Sequence, residues 1–297
     1  MNLFFMTPDQ VVQMTPQWKG ERLSDGRPRV PESILERMRH LTLEEAWMHA
    51  WRLKWDFQTE ANFKTTHSTD KPLVGRALTI ECVPWREDLD LYCKEEARGF
   101  GFKAEAGKND YNKEAVTRLQ KDDVMVVDFF DKVRYGTFFG GNLSTAVASR
   151  TQGGGAVIWG GIRDIDQVIK IPNLQIYYRG THPTPIRDYV MTGYNRPTRI
   201  GEATCMPGDI VFGSAGGVCF VPAQFAEEAV DAAEKSHVID IFGFQRLKER
   251  KYTASEIDQS PWPKNIWEDF LGWFKTDGEA QKYGYLNWDN DPRSGAT

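Results

Sequence analysis

Arg163 and Asp164 stand side by side just beyond a short apolar run, Ala156 to Trp159, that glycines bracket on both sides. An arginine offers a planar, two-pronged donor to a carboxylate. An aspartate offers hard oxygen to a divalent cation. Anion clamp and metal ligand held together suit a small 2-oxo acid, whose carboxylate and keto oxygen sit on adjacent carbons. A bare Arg-Asp dipeptide also arises where each residue merely pairs with a neighbour, so its surroundings must decide. A dinucleotide site is a poor fit: the triple glycine Gly153 to Gly155 precedes the apolar run, and no G-x-G-x-x-G follows it.

The surroundings are elements able to hold the pair in place. The apolar run between glycines reads as a buried strand. Gly160-Gly161 then turns the backbone, so that Arg163 and Asp164 arrive past the strand end and face a cleft. Upstream, Gly140-Gly141-Asn142-Leu143-Ser144 opens a helix over Asn142 to Arg150, with Leu143, Ala146 and Val147 at helical spacing. A glycine pair before a helix start leaves backbone N–H groups free to hold a carboxylate or phosphate. Val124 to Asp128 is the strand before it.

This order of strand, open helix start, strand and Arg-Asp resembles the RraA-like group. That group includes the class II 4-hydroxy-4-methyl-2-oxoglutarate/4-carboxy-4-hydroxy-2-oxoadipate aldolases and the regulator of ribonuclease E activity. The likeness is carried by Val126-Val127-Asp128, by Gly140-Gly141-Asn142-Leu143 (G-[DE]-x-L in the family) and by Gly155 to Asp164 (G-x-V-x-x-G-x-x-R-D). Pro207-Gly208-Asp209 and Gly217 to Pro222 are similar to the family's closing segments, and the likeness runs from about Leu73 to Asp240.

The resemblance implies an α/β fold of the swivelling β/β/α layered type, assembled as homotrimers or homohexamers with sites between subunits. It divides the chain into an N-terminal extension with helices (1–72), a catalytic domain (73–240) and an aromatic-rich C-terminal extension (241–297). It implies a lyase dependent on Mg²⁺ or Mn²⁺ that cleaves a carbon–carbon bond of a 2-oxo acid. The reaction would be retro-aldol cleavage of a 4-hydroxy-2-oxo acid to pyruvate, with oxaloacetate decarboxylation through the same enolate. Asp164 would be the metal ligand and Arg163 its catalytic partner, while Gly141, Asn142, Leu143 and Arg163 bind substrate.

The family's acid in G-[DE]-x-L is absent at Gly141, so another carboxylate is expected around the metal's waters. Asp128 and Asp131 lie nearest in sequence, and Glu227, Glu228 or Glu234 could come from a neighbouring subunit. Two other readings stay open. One is a non-catalytic, protein-binding regulator of the same fold; the other is a lyase or hydratase acting on a sugar-derived 2-oxo acid.

Composition agrees with a globular enzyme. At 297 residues the chain can bury a sizeable core. Its net charge of −5, with both signs interspersed, offers no basic face to nucleic acid. The opening residues lack the basic start of a secretory signal, and no apolar stretch is long enough to span a bilayer, so a cytoplasmic, membrane-free protein is expected. Cys82, Cys93, Cys205 and Cys219 are widely spread, without C-x-x-C, and Cys82 and Cys219 read as reduced core thiols.

Along the chain, Glu32 to Arg39 reads as a helix, and Thr42-x-x-Glu45 is a capping box before a second, with Trp47 and Trp51 on its packed face. Leu73 to Pro84 is a strand. Residues 85–112 read as a charged, glycine-punctuated insertion, loop or lid, and Asn112 to Gln120 as a helix. Residues 179–200 read as a polar, proline-rich loop. Beyond Phe242 the tail carries Trp262, Trp267, Trp273 and Trp288, too aromatic for disorder. It is expected to pack on the domain or on another subunit.

Overall fold

The structure is a computed structural model and describes residues 2–67, 70–103, 111–289 and 291–295. The chain forms two compact units, Met1–Ala229 and Val230–Thr297.

The first unit opens with α1 (Pro8–Met14), α2 (Glu32–Met38) and α3 (Leu43–Arg52), then the short strands β1 (Thr59–Glu60) and β2 (Lys64–Thr65). Capping boxes at Thr7 and Thr42 start α1 and α3. There follow β3 (Leu73–Pro84), α4 (Glu87–Gly99), α5 (Tyr111–Thr117), β4 (Asp123–Phe139), α6 (Gly141–Thr151), β5 (Gly155–Ile162), α7 (Ile165–Val168) and β6 (Gln175–Thr181). The last strands are β7 (Tyr189–Tyr194), β8 (Thr198–Ile200), β9 (Ala203–Cys205), β10 (Ile210–Ser214) and β11 (Gly217–Val221).

The middle of the main sheet is parallel, in the order β3-β4-β5-β6. Antiparallel β10 and β11 extend it beyond β3, and β7 pairs with the far half of β3. Side chains alternate between two cores. Met125, Val127, Ala156 and Ile158 face one, with Ala97, Ala115 and Val147 from the helices. Val124, Val126 and Val157 face the other, with Ile200, Ala203 and Cys205 of the small β8–β9 sheet. Burial on both faces is why these strands read as continuous apolar runs. The four cysteines are free and buried.

The opening residues belong to this core. Phe5 is fully buried against Phe100, Phe102 and Tyr111. Arg27 donates to both carboxylate oxygens of Asp123, at 3.0 and 2.9 Å, to the Ala77 carbonyl and to Asp25. Neither side chain of the Arg27–Asp123 pair reaches solvent.

Several expectations need correction. Within 85–112, residues 87–99 form α4 rather than a loop, and 104–110 lie outside the described residues. The presumed loop at 179–200 contains β7, all six of whose residues are buried. β4 does not stop at Asp128 but continues to Phe139 through a bulged stretch with left-handed backbone at Phe130, Asp131 and Tyr135. On α3, Ala46 and Ala50 make the buried face, while Trp51 is exposed and lies 5.8 Å from the Trp47 ring.

The second unit contains most of α8 (Ala226–Lys248), with α9 (Ala254–Asp258) and α10 (Lys264–Thr276). Its core is Phe242, Trp262, Phe270, Trp273 and Trp288, with Phe270 and Trp288 ring centres 4.7 Å apart. The tail's aromatic side chains, expected to need another surface, are largely buried against one another.

Candidate active site

The two glycine-flanked segments meet at the carboxyl ends of parallel strands. The Arg163 N–H donates to the Phe139 carbonyl at 2.9 Å, which ties the end of β5 to the end of β4. Gly140-Gly141 and Arg163-Asp164 leave those two ends together. Open α/β sheets characteristically bind ligands in the crevice outside their strands' carboxyl ends.

Asp164 has left-handed backbone, φ 57°, and begins α7 without capping it. Aspartate tolerates this conformation better than most residues. Its side chain turns to α6, where Oδ2 accepts the Gly141 N–H at 3.1 Å. The glycines are demanded by close approach rather than by backbone twist. A Cβ on Gly140 would lie 2.5 Å from Asp164 Oδ2 and 3.0 Å from Arg163 Nε. A Cβ on Gly141 would lie 2.5 Å from Gln167 Oε1.

Arg163 does not close on its neighbour. Its Nε is 3.9 Å from Asp164 Oδ2, beyond hydrogen-bond length, and the two side chains are 41% and 32% exposed. Gly140 is the N-cap of α6, so the N–H groups of Asn142 and Leu143 have no acceptor within the helix. The assembly is a guanidinium, a carboxylate and two free backbone donors at the positive end of a helix. It can hold an anion on one side and a hydrated cation on the other.

The donor set fits one hard cation. Among the described residues no three His, Cys, Asp or Glu side chains cluster as a metal cage. Mg²⁺ and its like keep several waters and take only one or two carboxylates from the protein. The contacts of Asp164 among the described residues fall on Oδ2, which leaves Oδ1 for such an ion.

The other acids stand elsewhere. Asp128 is buried and caps its own turn, Oδ1 accepting the Phe130 N–H at 2.9 Å. Burial pushes its carboxyl upward, opposed by that hydrogen bond and by Arg199, 3.9 Å away. Asp131 accepts from Arg179 Nε at 2.8 Å, with that guanidinium 4.2 Å over the Trp159 ring. Among the described residues neither acid shares a hydrogen bond or ion pair with Arg163, Asp164 or the start of α6. Glu227 and Glu228, in the first turn of α8, line a cavity of about 670 Å³ with Trp18 and Arg29. Glu234 is buried in the second unit.

Further cavities of about 1050, 270 and 580 Å³ open on the first unit. Neither Arg163 nor Asp164 lines any of the four. On the single chain both side chains of the pair are partly open to solvent. Gln167 is the residue at this site that motif reading misses. Its sequence signal is slight, a place three residues after Asp164, which is the N-cap of α7.

Comparison with known proteins agrees with the architecture. Protein DlpA of Legionella pneumophila is 24% identical over 196 residues, 63% of this chain but 27% of that protein, so the chain spans about a quarter of that relative. Among solved structures, Streptomyces coelicolor RraAS2, described as an unusual member of the RNase ES inhibitor RraA protein family, has 21% identity and a TM-score of 0.59. It is matched over 74% of this chain and 98% of its own. An uncharacterised protein from Pseudomonas syringae pv. tomato has 19% identity and a TM-score of 0.62, over 77% and 94%. At such identities these structures show the fold alone. The family model described as Aldolase/RraA matches residues 46–220, more than half of the sequence, and by that match the chain belongs to the RraA-like family.

Proposed function

We propose that the protein is a divalent-metal-dependent lyase that cleaves a carbon–carbon bond of a 2-oxo acid. The observation that carries this reading is the convergence of Arg163, Asp164 and the free N–H groups of α6 at the carboxyl ends of β4 and β5. Asp164 would hold Mg²⁺ or Mn²⁺ through one carboxylate oxygen, with Gly141's N–H fixing the other. Bound there, the cation supplies positive charge that stabilises a pyruvate enolate. Arg163 lies free to place its fork on the substrate carboxylate. The N–H groups of Asn142 and Leu143 would receive another carboxylate oxygen and keep the substrate's plane fixed. Gly140 leaves room for the pair to approach the helix start.

The reading includes a homotrimer or homohexamer, because a site open on one chain gains a second wall from a neighbour. The test is a panel of 4-hydroxy-2-oxo acids and oxaloacetate, with Mg²⁺ or Mn²⁺, assayed for pyruvate. Turnover that EDTA abolishes is expected. The alternative is a docking regulator. The open face of the pair and the inhibitor family named for the Streptomyces relative favour it, and absence of turnover with every metal would establish it over the lyase.

A further inference from the structure

Residue 141 has no side chain, yet the space above it is filled. Gln167 reaches across from α7, and its amide oxygen lies 2.5 Å from the point a Gly141 Cβ would occupy. On its other side the same peptide gives its N–H to Asp164 Oδ2. A carboxylate and an amide thus flank the first residue of α6. Asp164 is the N-cap of α7 and Gln167 its third residue, and both side chains reach the glycine pair at the start of α6.

The charges decide what this arrangement favours. α6 presents roughly half a positive charge at its start. Arg163 adds a full one, and among the described residues Asp164 is the acid bonded to the glycine pair. An amide contributes no charge: its oxygen accepts from a cation's water and its nitrogen donates to a ligand oxygen. A carboxylate in the same place would hold a cation's waters more tightly and would repel a second anionic group on the ligand.

We infer that Gln167 is a specificity-determining residue of this site, an amide that keeps it to one carboxylate and so favours doubly charged 2-oxo acids over singly charged ones. The inference rests on the lyase reading above. Gln167 is exposed, so its replacement leaves the core intact.

The test uses the full chain and needs no turnover. Mn²⁺ binding is titrated calorimetrically, followed by 2-oxoglutarate (two carboxylates) and 2-oxobutyrate (one) on the Mn²⁺-loaded protein. The parent should prefer 2-oxoglutarate. Gln167→Glu should bind Mn²⁺ roughly 10-fold more tightly and lose that preference. Gly141→Asp should be coupled to Gln167: in Gly141→Asp/Gln167→Ala the new carboxylate has space, and the two changes should be non-additive. The proposal is overturned if Gln167→Glu leaves Mn²⁺ affinity and ligand preference unchanged while Asp164→Ala loses the metal, or if the two changes simply add. If Mn²⁺ responds to Gln167→Glu but neither acid binds the parent, the 2-oxo acid reading and the ligand preference fall together. The amide's place beside the cation would then stand alone.

Discussion

Two Arg-Asp pairs sit at opposite ends of the parallel strands, and they are built for opposite purposes. Arg27 and Asp123, at the start of β4, are sealed from solvent and joined by two hydrogen bonds of 3.0 and 2.9 Å. Arg163 and Asp164, after the end of β5, are partly exposed and 3.9 Å apart at their closest charged atoms. The first pair spends its hydrogen-bonding capacity on itself, on the Ala77 carbonyl and Asp25, and on the Gln120 N–H that Asp123 accepts. The second is adjacent in sequence but disengaged, because left-handed backbone turns Asp164 toward the α6 peptide and away from Arg163. Binding capacity survives where a pair is kept from closing.

The buried pair should break hardest. Arg27→Ala leaves Asp123 charged and without its guanidinium, and should cost about 3–5 kcal/mol in urea unfolding. Arg27→Met with Asp123→Leu should recover much of that loss, since an apolar replacement of both partners is often neutral. A small loss in the single variant would mean that the segment around Arg27 is only loosely seated.

The open pair should break function and spare stability. Arg163→Lys keeps the charge but loses the fork, and should lower kcat/KM about 100-fold with an unchanged melting temperature. Asp164→Ala should remove the response to Mn²⁺. Gly140→Ala is a gentler probe: its Cβ would press on Asp164 Oδ2 and Arg163 Nε, and roughly 10-fold slower turnover is expected. Activity equal to the parent would show that the glycine is not what holds the pair in place.

A third carboxylate sharpens the comparison, for among the described residues no arginine pairs with it. Burial pushes Asp209 up to about 7, against the N–H groups of Met206 and Ala223 that favour its charge. A carboxyl raised in the folded state binds protons more readily there than in the unfolded chain. Its stabilising contribution is therefore present below its ordinary 3.8 and is lost as pH rises toward about 7. Melting temperature should fall over that window, and Asp209→Asn should flatten the slope.

Legibility from sequence followed how openly each element advertised its burial. β3 was readable at both ends, Leu73 and Pro84, because its apolar residues recur throughout the stretch and nearly all of it is buried. α3 declared itself through Thr42 and Glu45, and α6 through its glycines. α4 was hidden by its own charges: Asp90 and Lys94 lie on its buried face, paired at 2.5 Å, and Glu96 accepts the N–H groups of Phe4 and Phe5. Such internal pairing erases the apolar periodicity that marks a helix. β7 was too short and too hemmed in by Arg, Asp and Pro. At the site, Arg163, Asp164 and the helix start were legible as motifs, whereas Gln167 was not. Its role comes from a vacancy at Gly141 that only the packing of α7 on α6 fills.

The deep seating of the opening residues bears on how the protein is made. Arg27 must wait for Asp123, 96 residues later, and Met6 for the carbonyl of Tyr194 later still. On a ribosome adding about 5–20 residues per second, the first of these delays is on the order of ten seconds. The Phe5–Arg27 segment thus waits for residues made well after it before it can find its place. Throughout that interval Phe5 lacks its core, and the Arg27 guanidinium has only the neighbouring Asp25 to pair with.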